Sequence, residues 1–267
     1  MARPKKHYGQ HFLHERGIID RIVAAIAPQP GDRIVEIGPG EGALTLPLLD
    51  AAHTLTAIEL DAELIEPLQA AARLRGELTI IHADVLEVDF TALAGDGKLR
   101  LAGNLPYYVS SPILFHCLQH ARAISDMVFM LQKEVVDRMA AAPGGKTYGR
   151  LSVMLQLACR VEPLLRVPPG AFRPPPQVDS AVVRLLPHAT PLDAGVDHAT
   201  VEAVVRAAFG KRRKTLANAL SGLLGAEAIR AAGIDPRARA ETLSPRQYVE
   251  LARHADLQRS RVLPDNS

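Results

Sequence analysis

The chain has 267 residues, two cysteines, no tryptophan and a formal net charge of +2 from 31 basic and 29 acidic side chains. That length can bury the core of one large domain, or of one full domain and a small one, so no disulfide framework is needed; Cys117 and Cys159 sit in apolar stretches and read as buried thiols of a reducing, cytoplasmic compartment. No apolar run of about 18 residues occurs and the basic N-terminus has no apolar segment after it, so neither a membrane span nor a secretory signal is expected.

In chain order, Arg33-Ile-Val-Glu-Ile-Gly38, Leu55-Thr-Ala-Ile-Glu-Leu60, Leu78-Thr-Ile-Ile81, Leu99-Arg-Leu-Ala102 and Met127-Val-Phe-Met-Leu131 are short apolar runs that predict buried strands. Residues 61–74 and 110–120 between them have helical spacing. The alternation predicts a doubly wound α/β domain with a parallel sheet. Residues 160–167 and 180–186 follow with no helix between them, bridged by the proline-rich 168–176, and predict an antiparallel pair closing the sheet edge. Residues 188–197 read as a linker, and 198–209, 211–224, 226–232 and 244–254 as the helices of a small all-α unit. The expected domains are therefore 1–187 and 188–267.

The charge is unevenly spread. Residues 1–21 and 188–267 each carry an excess of three positive charges, while 22–187 carry an excess of four negative ones. Basic flanks on a near-neutral body fit a polyanion partner, with solvated surface charge as the alternative.

The first strand ends in Gly38-Pro-Gly40-Glu-Gly42 and runs into a helix. Such glycines turn the chain tightly and let a ligand approach the main chain. The spacing G-x-G-x-G is shorter than the dinucleotide fingerprint and fits a nucleoside ligand without a pyrophosphate, such as S-adenosylmethionine; a purely steric strand-to-helix turn would look the same. Glu59 ends the second strand, where a carboxylate can accept from both ribose hydroxyls, and Asp84 follows the third, placed for an adenine amino group. Asp61 is a candidate N-cap.

The fourth strand ends in Asn104-Leu105-Pro106-Tyr107. An exocyclic adenine amine is a poor nucleophile because its lone pair is delocalised into the ring. The Asn104 side-chain oxygen and the Leu105 carbonyl can each take one N–H and localise that lone pair. Pro106 would hold Leu105 extended, and Tyr107 offers a face for base stacking. A strand-ending turn with a core tyrosine is the alternative.

With these residues in view, the chain resembles the KsgA-type ribosomal RNA adenine dimethyltransferases. The resemblance runs through Gly9-Gln-His-Phe-Leu13, Val35-Glu-Ile-Gly-Pro-Gly40, Gly103-Asn-Leu-Pro-Tyr107, Met130-Leu-Gln-Lys-Glu134, Tyr148-Gly-Arg-Leu-Ser-Val153, the segment from Phe172 to Val183, and Phe209-Gly-Lys-Arg-Arg-Lys-Thr-Leu216. It implies a Rossmann-like class I methyltransferase fold, with a mainly parallel seven-stranded sheet and an antiparallel edge. It also implies S-adenosylmethionine contacts from His11, Leu13, Gly38, Gly40, Glu59, Asp84 and Asn104, and dimethylation of two adjacent adenosines near the 3′ end of 16S ribosomal RNA in the 30S particle. The resistance methyltransferases acting on large-subunit RNA share the Asn-Leu-Pro-Tyr arrangement and are the alternative.

Where some members carry Asn, this chain has His11, whose neutral ring offers one donor to the cofactor carboxylate. Phe172 is expected either to stack on the free face of the target adenine or to pack as a core residue. Arg3, Lys5 and Lys6, with Arg206 and the run Lys211-Arg212-Arg213-Lys214 read as a basic helix start, are expected on RNA phosphates. His7, His11 and His14 are spaced as on a helix, but with no further ligand cluster a metal is not expected. A monomer is expected.

Overall fold

A computed structural model describes the backbone of residues 10–262 and the side chains of 10–257. The chain divides into two compact units: one holds the residues up to Val136 together with Glu162–Pro187, the other Asp137–Val161 and His188 onward.

The first unit begins with β1 (Phe12–Leu13) and α1 (Arg16–Ile26), whose first turn is capped by the Glu15 carboxylate accepting from the Gly17 and Ile18 N–H groups. Then come β2 (Ile34–Ile37), α2 (Thr45–Ala52), β3 (Thr54–Glu59), α3 (Ala62–Ala72), β4 (Glu77–His82), α4 (Phe90–Ala94), β5 (Leu99–Asn104), α5 (Ser110–Gln119), β6 (Ile124–Gln132) and α6 (Lys133–Met139). After α7 (Arg150–Ala158) come β7 (Cys159–Val167), β8 (Phe172–Arg173) and β9 (Ser180–Pro187). The five apolar runs of the sequence all form strands, and Asp61 caps α3 by accepting from the Glu63 N–H at 3.2 Å.

Seven strands form one sheet in the order β4-β3-β2-β5-β6-β9-β7. β2 through β6 pair in parallel, and β9 runs antiparallel to β6, with Met130 opposite Val182. β2 is buried at all four positions and β6 at nearly all, which is why these strands read as continuous apolar runs rather than alternating ones. The expected edge pair is present, but β9 is interior and β7 takes the edge: β9 has the apolar sequence that an inner strand needs, while β7 is buried only at its two ends and exposes Arg160, Pro163, Leu164 and Arg166. A feature that short runs could not announce is a second, two-stranded sheet, in which β1 pairs antiparallel to β8, Leu13 opposite Phe172. Leu13 and Phe172 join Ile22, Ile26, Leu48, Leu49 and Val182 in one buried cluster.

The chain starts its sheet at β2 in the middle, winds out to β4, and returns to β5 on the other side of β2. The connections after β2 and β5 therefore leave in opposite directions and open a crevice at the strand C-termini. Gly103 on β5 keeps these two strands in register: a Cβ there would lie 2.4 Å from the Ile37 carbonyl oxygen, closer than any real contact.

The second unit contains α7, α8 (His198–Gly210), α9 (Leu216–Ala219), α10 (Ala226–Ala231) and α11 (Pro245–Val262). The expected helix 211–224 is only four residues long, so Lys211 to Lys214 form a turn after α8 and not a helix start. The boundary also shifts from the expected 187: residues 137–161 group with the helices. Fully buried Tyr148 explains this, since its ring meets Phe209 edge-on at 6.1 Å, Phe209 stacks on Tyr248 at 5.7 Å, and its hydroxyl donates to the Leu243 carbonyl at 2.8 Å.

Substituting Gly103→Ala is expected to lower stability by about 1–3 kcal/mol, the usual cost of overpacking, read as a fall in the denaturant midpoint. An unchanged midpoint would contradict the close approach of β2 and β5.

Candidate active site

The crevice is a cavity lined by Gln10 to Leu13, Glu36 to Glu41, the ends of β3 and β4, and Asn104 to Val109. Of the expected cofactor and catalytic residues, His11, Leu13, Gly38, Gly40, Glu59, Asp84, Asn104, Leu105, Pro106 and Tyr107 all line it.

The loop after β2 is built for close approach. Gly38 and Gly40 have φ of +66° and +58°, and a Cβ at Gly40 would press on the Phe12 ring at 3.2 Å. Glu59, 6% exposed, is held by two backbone donors: its Oε2 accepts from Gly40 N–H at 3.2 Å and its Oε1 from Asp61 N–H at 2.8 Å. The Leu60 N–H also acts on this carboxylate. Asp84 Oδ1 caps the short turn 85–87 by accepting from Leu86 N–H at 2.9 Å, which fixes a carboxylate that lines the cavity. Gln10 Nε2 ties the N-terminal segment to α3 by donating to Asp61 Oδ2 at 3.1 Å.

Asn104 is oriented by a single contact. Its Nδ2 donates to the His11 carbonyl at 3.0 Å. Only the amide nitrogen can donate, so the side-chain oxygen is turned the other way and takes no hydrogen bond from the described residues. Leu105 N–H donates to Met130 O at 3.1 Å, anchoring the peptide whose carbonyl follows. Tyr107 is held at both ends: its ring stacks on His11 at 5.6 Å, and its hydroxyl shares a 2.5 Å hydrogen bond with Ser180 Oγ. Burial pushes its phenol upward in pKa, so the hydroxyl stays protonated near neutral pH.

Two expectations change. Phe172 is 2% exposed, packs in the core cluster opposite Leu13 and does not line the cavity. The parity of β8 decides this: Phe172 points into the core and Arg173 outward. His11 Nδ1 lies 2.8 Å from the Pro174 carbonyl, which can only accept, so the single donor of a neutral ring is already spent and is not available to a cofactor carboxylate.

The basic residues divide. Arg206, Lys211, Arg213 and Lys214 are exposed, whereas Arg212 donates to the Lys146 carbonyl at 2.8 Å and pairs with Glu241 at 3.5 Å, which fastens a loop rather than presenting a free cation. Arg3, Lys5, Lys6 and His7 lie outside the described residues.

The residue that sequence reading passed over is Glu36. It is a carboxyl inside an otherwise apolar strand, 1% exposed, lining the cavity, with Thr45 Oγ1 donating to its Oε2 at 2.6 Å. A charge in the middle of Ile34-Val35-Glu36-Ile37 was the available signal, since buried carboxylates are rare without a duty. Burial, with the nearby Glu59 charge adding, pushes its pKa up to about 7 against the pull of the Thr45 hydrogen bond.

A family model described as ribosomal RNA adenine dimethylase matches residues 1–256. The chain belongs to the ribosomal RNA adenine dimethylase family. It is 59% identical, over 94% of its length and 96% of the relative's, to ribosomal RNA small subunit methyltransferase A of Xanthomonas campestris pv. campestris (strain B100). The protein of that name from Xylella fastidiosa (strain 9a5c) is 58% identical over 96% of this chain and 97% of its own. Among solved structures, a dimethyladenosine transferase from Plasmodium falciparum superposes with a TM-score of 0.79 at 25% identity, covering 90% of this chain and 96% of that one. The 23S rRNA methyltransferase ErmE does so with a TM-score of 0.72 at 27% identity, covering 92% and 99%. The methyltransferase fold expected from the sequence is therefore the fold of this family member.

The raised Glu36 pKa makes a stability prediction. Below about pH 4.5 the carboxyl is protonated in folded and unfolded chains alike; as pH rises towards 7 the unfolded chain ionises first, so stability falls across that window. Glu36→Gln is expected to remove up to about 3 kcal/mol of that fall, the equivalent of the shift in pKa. Thermal unfolding of both proteins from pH 5 to 8 measures it, and parallel curves would show that Glu36 ionises normally.

Proposed function

We propose that the chain transfers methyl groups from S-adenosylmethionine to N6 of two adjacent adenosines near the 3′ end of 16S ribosomal RNA, acting as a cytoplasmic monomer on the 30S particle and so contributing to small-subunit biogenesis. The coarser statement follows from family membership: the chain is an S-adenosylmethionine-dependent ribosomal RNA adenine dimethyltransferase. No helix among the described residues is long and apolar enough to cross a membrane. The observation that carries the mechanism is the Asn104 amide, turned by the His11 carbonyl so that its oxygen is an acceptor at the cavity.

The cavity fits the donor. A tight glycine loop admits its methionine part, the fixed Glu59 carboxylate suits a ribose diol, and the remaining Asp84 oxygen suits an adenine amine. When bound, the donor supplies an electrophilic methyl group on a positively charged sulfur. The chain's own contribution is to the acceptor. Asn104 Oδ1 and the Leu105 carbonyl each take one N–H of the target amine, which withdraws its lone pair from the ring and aims it. Pro106 keeps Leu105 extended, and Tyr107, clamped between His11 and Ser180, presents a rigid face on which the base stacks for about 1–3 kcal/mol. No protein base is needed, because the alkylated amine is acidic enough to lose its proton to water.

With Phe172 in the core, the second face of the base is not supplied by that side chain in this conformation. Arg206, Lys211, Arg213 and Lys214 remain the exposed cations suited to RNA phosphates, together with Arg3, Lys5 and Lys6. The relatives of about 59% identity bear the small-subunit name, whereas the large-subunit enzyme ErmE is 27% identical, which supports the 30S reading over the resistance-type alternative.

Asn104→Ala is expected to cut methylation about 10²–10³-fold, as for removal of one preorganised polar group, while particle binding persists. Methylation of 30S and 50S particles with labelled donor, read by mass spectrometry of the RNA, tests both points. Activity on 50S alone would overturn the substrate, and full activity of the variant would overturn the role of Asn104.

A further inference from the structure

The cavity lining carries five carboxyl groups, Glu36, Glu41, Glu59, Asp61 and Asp84, and no lysine or arginine among the described residues. Three of them have structural duties: Glu59 binds the loop amides, while Asp61 and Asp84 cap helical turns. Glu41 is exposed at the rim. Glu36 is different. It lies on the second strand position before the glycine loop, almost wholly buried, with one oxygen on Thr45 and the other taking no hydrogen bond from the described residues.

Among the described residues, its surroundings offer no compensating charge. The residues beside it on the flanking strands are Ala57 and Ala102, α2 contributes only the Thr45 hydroxyl, and the charged group that acts on it is Glu59, of like sign. Among the described residues, the remaining titratable groups lining the cavity are His11, Glu41, Asp61, Asp84, Tyr107 and Tyr108. An ionised carboxylate so placed is costly in the empty site and becomes favourable when a cation arrives, because attraction between charges is strong where water is excluded.

We propose that Glu36 makes the site select the positively charged methyl donor over its neutral demethylated product, being ionised in the donor complex and protonated in the product complex. The inference rests on the donor assigned above. Each transfer breaks the sulfur–methyl bond, whose electron pair stays on sulfur, and forms a nitrogen–carbon bond from the amine lone pair; the amine's surplus proton leaves to water. The ligand loses its sulfonium charge, and Glu36 takes one proton from solvent in response. Affinity for the spent ligand therefore does not carry the contribution that held the donor, which favours exchange before the next of the successive methylations. The raised pKa of the empty site, about 7, places this exchange near neutral pH.

The test is titration calorimetry of the full-length protein with S-adenosylmethionine and with S-adenosylhomocysteine from pH 6 to 8. If the ionised form of Glu36 alone receives the cation and the protonated form alone holds the product, the preference for donor over product rises about a hundredfold across that range, following the ratio of the two forms. Near pH 6, donor binding in buffers of different ionisation heat releases close to one proton, and product binding releases none. Glu36→Gln flattens the preference. Thr45→Val, which removes the one hydrogen bond favouring the charged form, moves the rise to higher pH and serves even if the Gln variant does not fold. A wild-type preference that does not change with pH, a slope retained in Glu36→Gln, or an unmoved midpoint in Thr45→Val would each overturn the proposal. If neither ligand binds the wild-type protein, the donor assignment itself falls, and the inference with it.

Discussion

The contact between β2 and β5 is the constraint on which the site depends. Two parallel strands lie side by side, and the chain leaves their C-terminal ends in opposite directions, so a crevice must open there. Gly103 permits the approach because any side chain would collide with the Ile37 carbonyl. With the strands that close, Glu36 and the glycine loop at the end of β2 stand beside Asn104 at the end of β5. On the proposed function, donor and acceptor elements are thus placed by one pair of backbones.

A second layer of order comes from segments far away in sequence. The N-terminal strand β1 folds across the crevice and pairs with β8, bringing His11 to three partners at once: its carbonyl turns the Asn104 amide, its ring supports Tyr107, and its Nδ1–H holds the Pro174 carbonyl. Each contact fixes a group that would otherwise rotate. The acceptor oxygen of Asn104 is defined only because the amide nitrogen has somewhere to donate, and a stacking platform is useful only when its ring cannot swing. In the proposed mechanism this preorganisation stands in for a catalytic base, with the chain shaping the amine's lone pair.

The charge pattern has the same division of labour. Among the described residues, five carboxyl groups line the cavity and no lysine or arginine does, while Arg206, Lys211, Arg213 and Lys214 are exposed. A near-neutral total hides both fields. On the proposed function, phosphate contacts from the exposed cations would add affinity and salt dependence without choosing a base, which would leave the choice of adenine to Asn104, Leu105 and Tyr107.

The sequence by itself determined the elements whose signals are local: the five strands, although β4 lies at the sheet edge with no buried residue, the glycine turn, the cap at Asp61, and the carboxylate and Asn-Leu-Pro-Tyr motifs at strand ends. Strand C-termini in such a sheet converge by topology, so those motifs could be placed in one site from order alone. What only the tertiary structure decided were pairings between distant segments. The two-residue strands β1 and β8 carry no periodicity, so neither the donor committed by His11 nor the burial of Phe172 could be read from their neighbours in sequence. The helical unit reclaimed residues 137–161 because Tyr148 packs on Phe209, a contact 61 residues away in the chain. Glu36 was visible as a charge in an apolar strand, but its meaning depends on which atoms surround it, and solvation in a folded cavity is not a local property of sequence.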